Sequence, residues 1–123
     1  MNTAARPHIL IARAVFPEVI DKLAQHFDVE ANEPDDIWPR DEFIRRLQGK
    51  QGVFTTGSER IDAELLAACP GLKICANMAV GYNNFDVPAM TAAGVLATNA
   101  PGVLTETTAD MGFALLMAAA RRV

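Results

Sequence analysis

One rhythm limits what this chain can fold into: a short apolar, β-branched run followed by a helical stretch, repeated along all 123 residues. Residues 8–12 are continuous and apolar, as expected of a strand buried on both faces. Pro17 suits a helix first turn, and Val19, Ile20, Leu23, Ala24 and Phe27 follow it at helical spacing. Residues 27–31 alternate and read as an edge strand, and 32–39 read as a turn-rich loop. Asp41 is placed to cap a helix that buries Phe43, Ile44 and Leu47 and ends at Gly49. A third strand over 52–56 is closed by Gly57 and Ser58. The stretch 61–69 reads as a short helix with Asp62 near its start, ended by Pro70 and Gly71. Residues 72–76 form a fourth strand, Asp86 opens a helix that Gly94 stops, and 95–98 form a fifth strand. A helical pattern of Ala, Leu and Met fills 105–122.

Strands that alternate with helices pair in parallel through right-handed crossovers, which places helices on both faces of an open sheet. The fold class expected is α/β. Ligands on such sheets bind beyond the carboxyl ends of the strands. Three loops therefore become candidates, over residues 55–58, 77–84 and 99–105.

Charge and patterning narrow the function. A net charge of −4, with basic pairs only at Arg45-Arg46 and Arg121-Arg122, argues against a nucleic-acid partner, which needs clustered cations. Residues 1–7 hold no apolar run after a basic start, so no secretory signal is read there. The longest apolar stretch, 111–120, is about half the ~20 residues that span a bilayer. A soluble cytoplasmic protein without membrane contact is the expectation. Cys69 and Cys75 lack the spacing of a zinc or redox pair and are expected as reduced thiols. The sequence has no G-x-G-x-x-G, no G-x-x-x-x-G-K-[ST] and no G-x-S-x-G. His8 and His26 fall outside the strand-end loops and read as structural or solvent-exposed residues rather than as general bases.

The loop 77–86 is the most informative segment, and two readings fit it. Gly81 allows close approach of another group and backbone angles that other residues avoid, and successive free N–H groups there hold a carboxylate without a side-chain cation. Alternatively it is an ordinary strand-to-helix turn with Asn83, Asn84 and Asp86 as turn and cap residues. In the loop 101–110, Thr105, Thr107 or Thr108 either caps a helix or marks an amide terminus that receives a phosphate or ribose hydroxyl.

Four ordered stretches carry a family resemblance. They are Ser58-Glu59-Arg60-Ile61-Asp62; Leu72-Lys73-Ile74 leading to Val80-Gly81-Tyr82-Asn83-Asn84-Phe85-Asp86; Gly94-Val95 with Thr98-Asn99-Ala100-Pro101-Gly102-Val103-Leu104-Thr105; and Thr108-Ala109-Asp110 leading to Ala119-Ala120-Arg121-Arg122. Together they resemble the D-isomer-specific 2-hydroxyacid dehydrogenases, in the glyoxylate/hydroxypyruvate reductase or 2-ketogluconate reductase branch. The resemblance implies a flavodoxin-like, three-layer substrate-binding domain over 1–104, with a five-stranded, mostly parallel sheet in the order 2-1-3-4-5. Residues 105–123 would start a long helix crossing to an NAD(P)-binding domain. It implies that the amides of Val80 and Gly81 hold the carboxylate of a small 2-oxo or 2-hydroxy acid and that the loop around Gly57, where relatives often carry Leu, approaches the substrate side chain. Thr108 would contact the cofactor, NAD or NADP, and the parent would be a homodimer. The catalytic Arg, Glu and His and the glycine-rich cofactor loop of such chains lie further along, so these 123 residues alone are expected to be inactive. The final helix looks unfinished, without a C-cap, which suggests a chain cut within a longer protein; its Leu115-Leu116-Met117 surface suggests self-association. A stand-alone organic-acid-binding or regulatory module is the alternative.

Overall fold

The computed structural model describes residues 5–123; residues 1–4, part of the segment read as lacking a secretory signal, lie outside the described residues. The rhythm becomes β1 (His8–Ile11), α1 (Pro17–Ala24), β2 (Asp28–Ala31), α2 (Arg40–Leu47), β3 (Gly52–Thr55), α3 (Ala63–Ala68), β4 (Ile74–Asn77), α4 (Val87–Ala93), β5 (Leu96–Thr98) and α5 (Thr105–Arg121). The five strands form one parallel sheet in the order β2-β1-β3-β4-β5. This is the flavodoxin-like order expected above.

Alternation along each strand divides the sheet into two faces. Leu10, Ala12, Val53 and Cys75 pack with Phe43 and Leu47 of α2, Leu65 and Leu66 of α3 and Met90 of α4 in a single core. The opposite face is thinner. Among the described residues only α1 serves it, no residue of α1 is fully buried, and Ala24, expected inside, is exposed. Helices do occupy both faces, as the crossovers require, but unequally.

Several expected boundaries shift. Asp41 does not cap α2: Pro39 holds the cap position without a side-chain bond, and Asp41 lies in the first turn beside Glu42. The proline fixes its own φ near the helical value, and the helix begins two residues earlier than an Asp41 cap would place it. α2 stops at Leu47, ahead of Gly49. Ile61 is outside α3 and bridges Phe85 in parallel, leaving Asp62 to cap the helix by accepting from the Leu65 N–H. Asp86 caps α4 through the Ala89 N–H, and Gly94 ends it in the left-handed conformation that a side chain disfavours. Val95 donates to Met90 O and so precedes β5. α5 has a C-cap after all: Arg122 turns left-handed at φ 56°, its amide bonded to Ala118 and Ala119 carbonyls. No helix of the described residues is long and apolar enough to cross a membrane. Cys69 and Cys75 are both free and buried.

Candidate functional site

Because all five strands are parallel, their carboxyl ends share one edge of the sheet, and the three candidate loops gather there. The loop after β3 is a tight, self-capped turn. Thr56 N–H donates to Glu59 Oε2 at 2.9 Å and Ser58 Oγ donates to Glu59 Oε1 at 2.6 Å. Gly57 sits at its tip with φ 106°, a conformation in which a β-carbon is strained. A Cβ built there would lie 3.6 Å from the Ala79 side chain, so this turn abuts the loop after β4. The positive φ gives a local reason for glycine where relatives were expected to carry Leu.

The loop after β4 owes its shape to three carbonyls held from within. Ala79 O accepts from Ala100 N at 2.9 Å, Val80 O from Asn99 Nδ2 at 2.8 Å, and Gly81 O from Asn77 Nδ2 at 2.9 Å. In a trans peptide the C=O of one residue and the N–H of the next point in opposite directions. Fixing these three carbonyls inward turns the amides of Val80, Gly81 and Tyr82 outward. None of the three donates a hydrogen bond to another of the described residues. Val80, Gly81 and Tyr82 are all exposed. Gly81 departs from the expectation in one respect: its φ is not positive, and a Cβ there would meet nothing within 4 Å. Its glycine leaves the amide uncovered; it is not needed to permit the turn.

The pins rest on a carboxamide pair, one member buried and the other half-buried. Asn77, 4% exposed, accepts from Thr55 Oγ1 at 2.8 Å and exchanges hydrogen bonds with the Asn84 carboxamide at 3.1 and 3.4 Å. Asn84 Nδ2 also donates to Glu59 O at 3.0 Å, tying the loop after β4 to the turn after β3. The sequence reading passed over Asn77 and Asn99 and took Asn84 for a turn residue. The available signal was the recurrence of Asn at positions 77, 83, 84 and 99, at two neighbouring strand ends.

Charge near the site is paired. The Arg13 guanidinium makes two bonds to Asp35, at 2.7 and 2.9 Å, and reaches Ser58 Oγ at 3.3 Å. Arg13, joined by the Ala14 N–H, holds the Asp35 carboxyl well below the usual carboxylate range. No side-chain cation faces the three amides through a hydrogen bond of the described residues. An anion docked there would be held by backbone dipoles.

Thr108 stands apart from this cluster. It is exposed in the first turns of α5, its amide bonded to Leu104 O. The N-cap of α5 is Leu104 with no side-chain bond, and Thr107 Oγ1 donates to the Leu104 carbonyl, so no threonine caps the helix amides. The structure thus brings Gly57, Val80 and Gly81 together and leaves Thr108 on a separate element. Among the described residues no group of His, Cys, Asp and Glu is arranged to hold a metal ion. His8 pairs with Asp28 at 2.9 Å on the exposed edge of the sheet, and His26 is exposed beside Phe27.

Comparison with known proteins converges on one group. The family model described as D-isomer specific 2-hydroxyacid dehydrogenase, catalytic domain, matches residues 9–121. The glyoxylate reductase of Aeropyrum pernix is 42% identical over 118 residues, which cover 96% of this chain and 35% of that protein. The glyoxylate reductase of Thermococcus onnurineus is 44% identical over the same length and the same shares. Among solved structures, the TT0316 protein of Thermus thermophilus superposes with a TM-score of 0.83 at 36% identity, over 94% of this chain and 37% of that one. The NADPH-dependent glyoxylate/hydroxypyruvate reductase of Sinorhizobium meliloti, in complex with NADP and malonate, gives a TM-score of 0.67 at 32% identity, over 93% and 34%. The chain therefore spans about a third of the length of the curated relatives it matches.

Proposed function

This chain belongs to the D-isomer specific 2-hydroxyacid dehydrogenase family, and from that premise we propose that it is the carboxylate-holding part of a reductase that converts a small 2-oxo acid, such as glyoxylate or hydroxypyruvate, into the D-2-hydroxy acid with NAD(P)H. The observation that carries the reading is the set of three inward-held carbonyls, which turns the Val80 and Gly81 amides outward at the carboxyl end of the sheet. Two N–H groups aimed at one carboxylate make charge-assisted bonds, shorter and stronger than neutral ones. Held at both oxygens, the acid keeps only the rotation about its C1–C2 bond, so its keto carbon faces a defined direction. Gly57, next to Ala79, borders the substrate's remaining substituent and adds no bulk to it. The names of the similar curated proteins favour glyoxylate as the oxo acid.

Residues 1–104 act as the substrate-binding domain, and 105–123 begin the helix that crosses to a cofactor-binding domain. Thr108 touches the cofactor from the substrate side. When bound, the nicotinamide supplies a hydride to C2 of the acid, while a separate acid–base group protonates the ketone oxygen. These 123 residues contain neither a glycine-rich phosphate loop nor a histidine near the amides. Their share of the chemistry is to bind and orient. The parent acts in the cytoplasm as a homodimer.

A second reading has one observation behind it: the outward amides and all their pins lie within this chain. As a stand-alone module it would sense an organic acid without cofactor. Turnover separates the two. A longer protein that continues into a cofactor-binding domain is expected to oxidise NADH or NADPH with glyoxylate, and the 123-residue chain to show no turnover. Turnover by the short chain, or none by the long one, contradicts the proposal.

A further inference from the structure

The three pins on the loop after β4 are not equivalent. Ala79 O is held by a backbone amide, that of Ala100, and Gly81 O by the buried Asn77 carboxamide. Val80 O is held by the side chain of Asn99, which is half-buried just past the end of β5. Each carbonyl governs one amide, because a C=O and the N–H that follows it point in opposite directions within one rigid plane. The Ala100 bond therefore aims the Val80 N–H, the Asn99 bond the Gly81 N–H, and the Asn77 bond the Tyr82 N–H. Both donors read as holding the carboxylate are thus aimed by two consecutive residues at the end of β5, outside the loop that carries them.

Of the three planes, the one between Val80 and Gly81 resists reversal least. Turning a peptide plane over changes ψ of the residue before it and φ of the residue after it, the change that separates type I from type II turns, and it carries the second residue to positive φ. Val80 and Tyr82 have β-carbons that oppose positive φ, so the planes before them keep their sense unaided. Gly81 has none and takes either sign of φ about equally. Packing does not decide it either, since a Cβ built on Gly81 would meet nothing within 4 Å. Yet Gly81 does not take positive φ. Its freedom is not used in the turn and has to be suppressed. Among the described residues, the one hydrogen bond that Val80 O accepts comes from Asn99 Nδ2, at 2.8 Å.

We propose that Asn99 is a positioning residue for the acid: without touching it, Asn99 locks the Val80–Gly81 plane so that the Gly81 N–H faces outward beside the Val80 N–H. The assignment rests on the reading of these amides as the carboxylate holder, and it names what keeps the second donor in place. Glycine leaves the amide uncovered for the acid and leaves the plane free to turn; the carboxamide of Asn99 removes that freedom. A carboxamide donates to the carbonyl without bringing a charge to the site. The segment 99–104 that supplies both bonds leads directly from β5 into α5, so a shift of that segment reaches the Gly81 amide through a single side chain.

Titration of the 15N-labelled 123-residue chain with glyoxylate tests the assignment, with Asn99→Ala and Asn99→Leu as variants; leucine keeps the branched shape and lacks the donor. Dispersed amide spectra check that each variant keeps the native fold. The Ala100 bond is untouched in both, so Val80 serves as an internal reference. In each variant the Val80 resonance should still move with added acid, the Gly81 response should be lost, and the dissociation constant should rise about tenfold, as when one of two charge-assisted hydrogen bonds is removed. A structural role alone would lower stability without separating the two resonances. Unchanged affinity with both amides responding in a folded variant overturns the proposal. So does an equal loss at Val80 and Gly81, which describes collapse of the whole loop. If neither amide moves in the unaltered chain, the carboxylate reading itself falls, and this assignment with it.

Discussion

Asn77 is bonded through both ends of its carboxamide: Oδ1 accepts from Thr55 and Asn84, and Nδ2 donates to the Gly81 carbonyl and to Asn84. Replacing it with aspartate keeps the acceptors and puts a carboxylate oxygen against the Gly81 carbonyl in place of the donor. We expect Asn77→Asp to lower unfolding free energy in urea by about 2 kcal/mol, the cost of leaving buried partners unsatisfied; a loss under ~0.5 kcal/mol would show that the pin contributes nothing. Little of this pinning was legible in the sequence. An asparagine at a strand end reads as a turn residue, and its partners come from residues 55, 81 and 84, which only the parallel register brings together. Val80 and Gly81 were legible because they sit in a stretch resembling a known loop, although glycine's backbone freedom was the wrong physical reason for Gly81. Cys75 gives a second expectation at this scale. Burial, with a smaller contribution from Cys69, pushes its thiol up to about 12. The folded state then keeps a proton that the unfolded chain loses near ~8.5. Stability from this group is complete below that value and falls by about 1.4 kcal/mol per pH unit as pH rises toward 12. Urea midpoints measured between about pH 8 and 10, a window that straddles the unfolded value, should decline in the native chain and decline less in Cys75→Ala.

At the level of elements, the chain order of strands and helices followed from hydrophobic period alone, because buried parallel strands and amphipathic helices differ in both period and length. Asp86 was read correctly as the residue that opens α4, whereas Asp62, read inside its helix, is the cap that precedes α3; each bonds an amide three positions on. The Asp41 assignment failed because Pro39 takes the cap position by backbone geometry, which puts Asp41 inside the first turn, past the point from which a side chain caps the helix. Asp62 joins elements as well as capping one: it accepts from the Leu65 N–H and pairs with Arg40 of α2 and with Arg60. Burial alone would raise its carboxyl, but the Leu65 amide and the two guanidiniums outweigh burial and bring it below the ordinary range. A carboxyl lowered in the folded state stabilises above its unfolded value, ~3.9, and that contribution is lost as pH falls through the folded value. Asp62→Ala should cost about 1–2 kcal/mol near neutral pH, as loss of a cap does. The deficit should shrink as the pH of the urea titration is lowered below ~4; a pH-independent deficit would mean that the side chain acts only by packing.

For the molecule as a whole, the family resemblance gave the sheet order and the right-handed crossover rule distributed the helices, but neither showed how much of the second face α1 leaves open. That quantity depends on where α5 goes after β5, and nothing in a run of Ala, Leu and Met specifies a direction. The edge that carries the outward amides and the bare apolar face belong to one sheet. On the proposed function, the edge orients a small acid through backbone dipoles. A carboxylate held by two or three amides without a cation binds with millimolar-order affinity, about −4 kcal/mol. The most direct measurement is a titration of the 15N-labelled chain with glyoxylate, read by amide chemical shifts. The Val80 and Gly81 resonances should move together and saturate in the millimolar range, with Tyr82 following. If those amides stay fixed while others shift, or if they resist solvent exchange before any acid is added, the carboxylate is not held there.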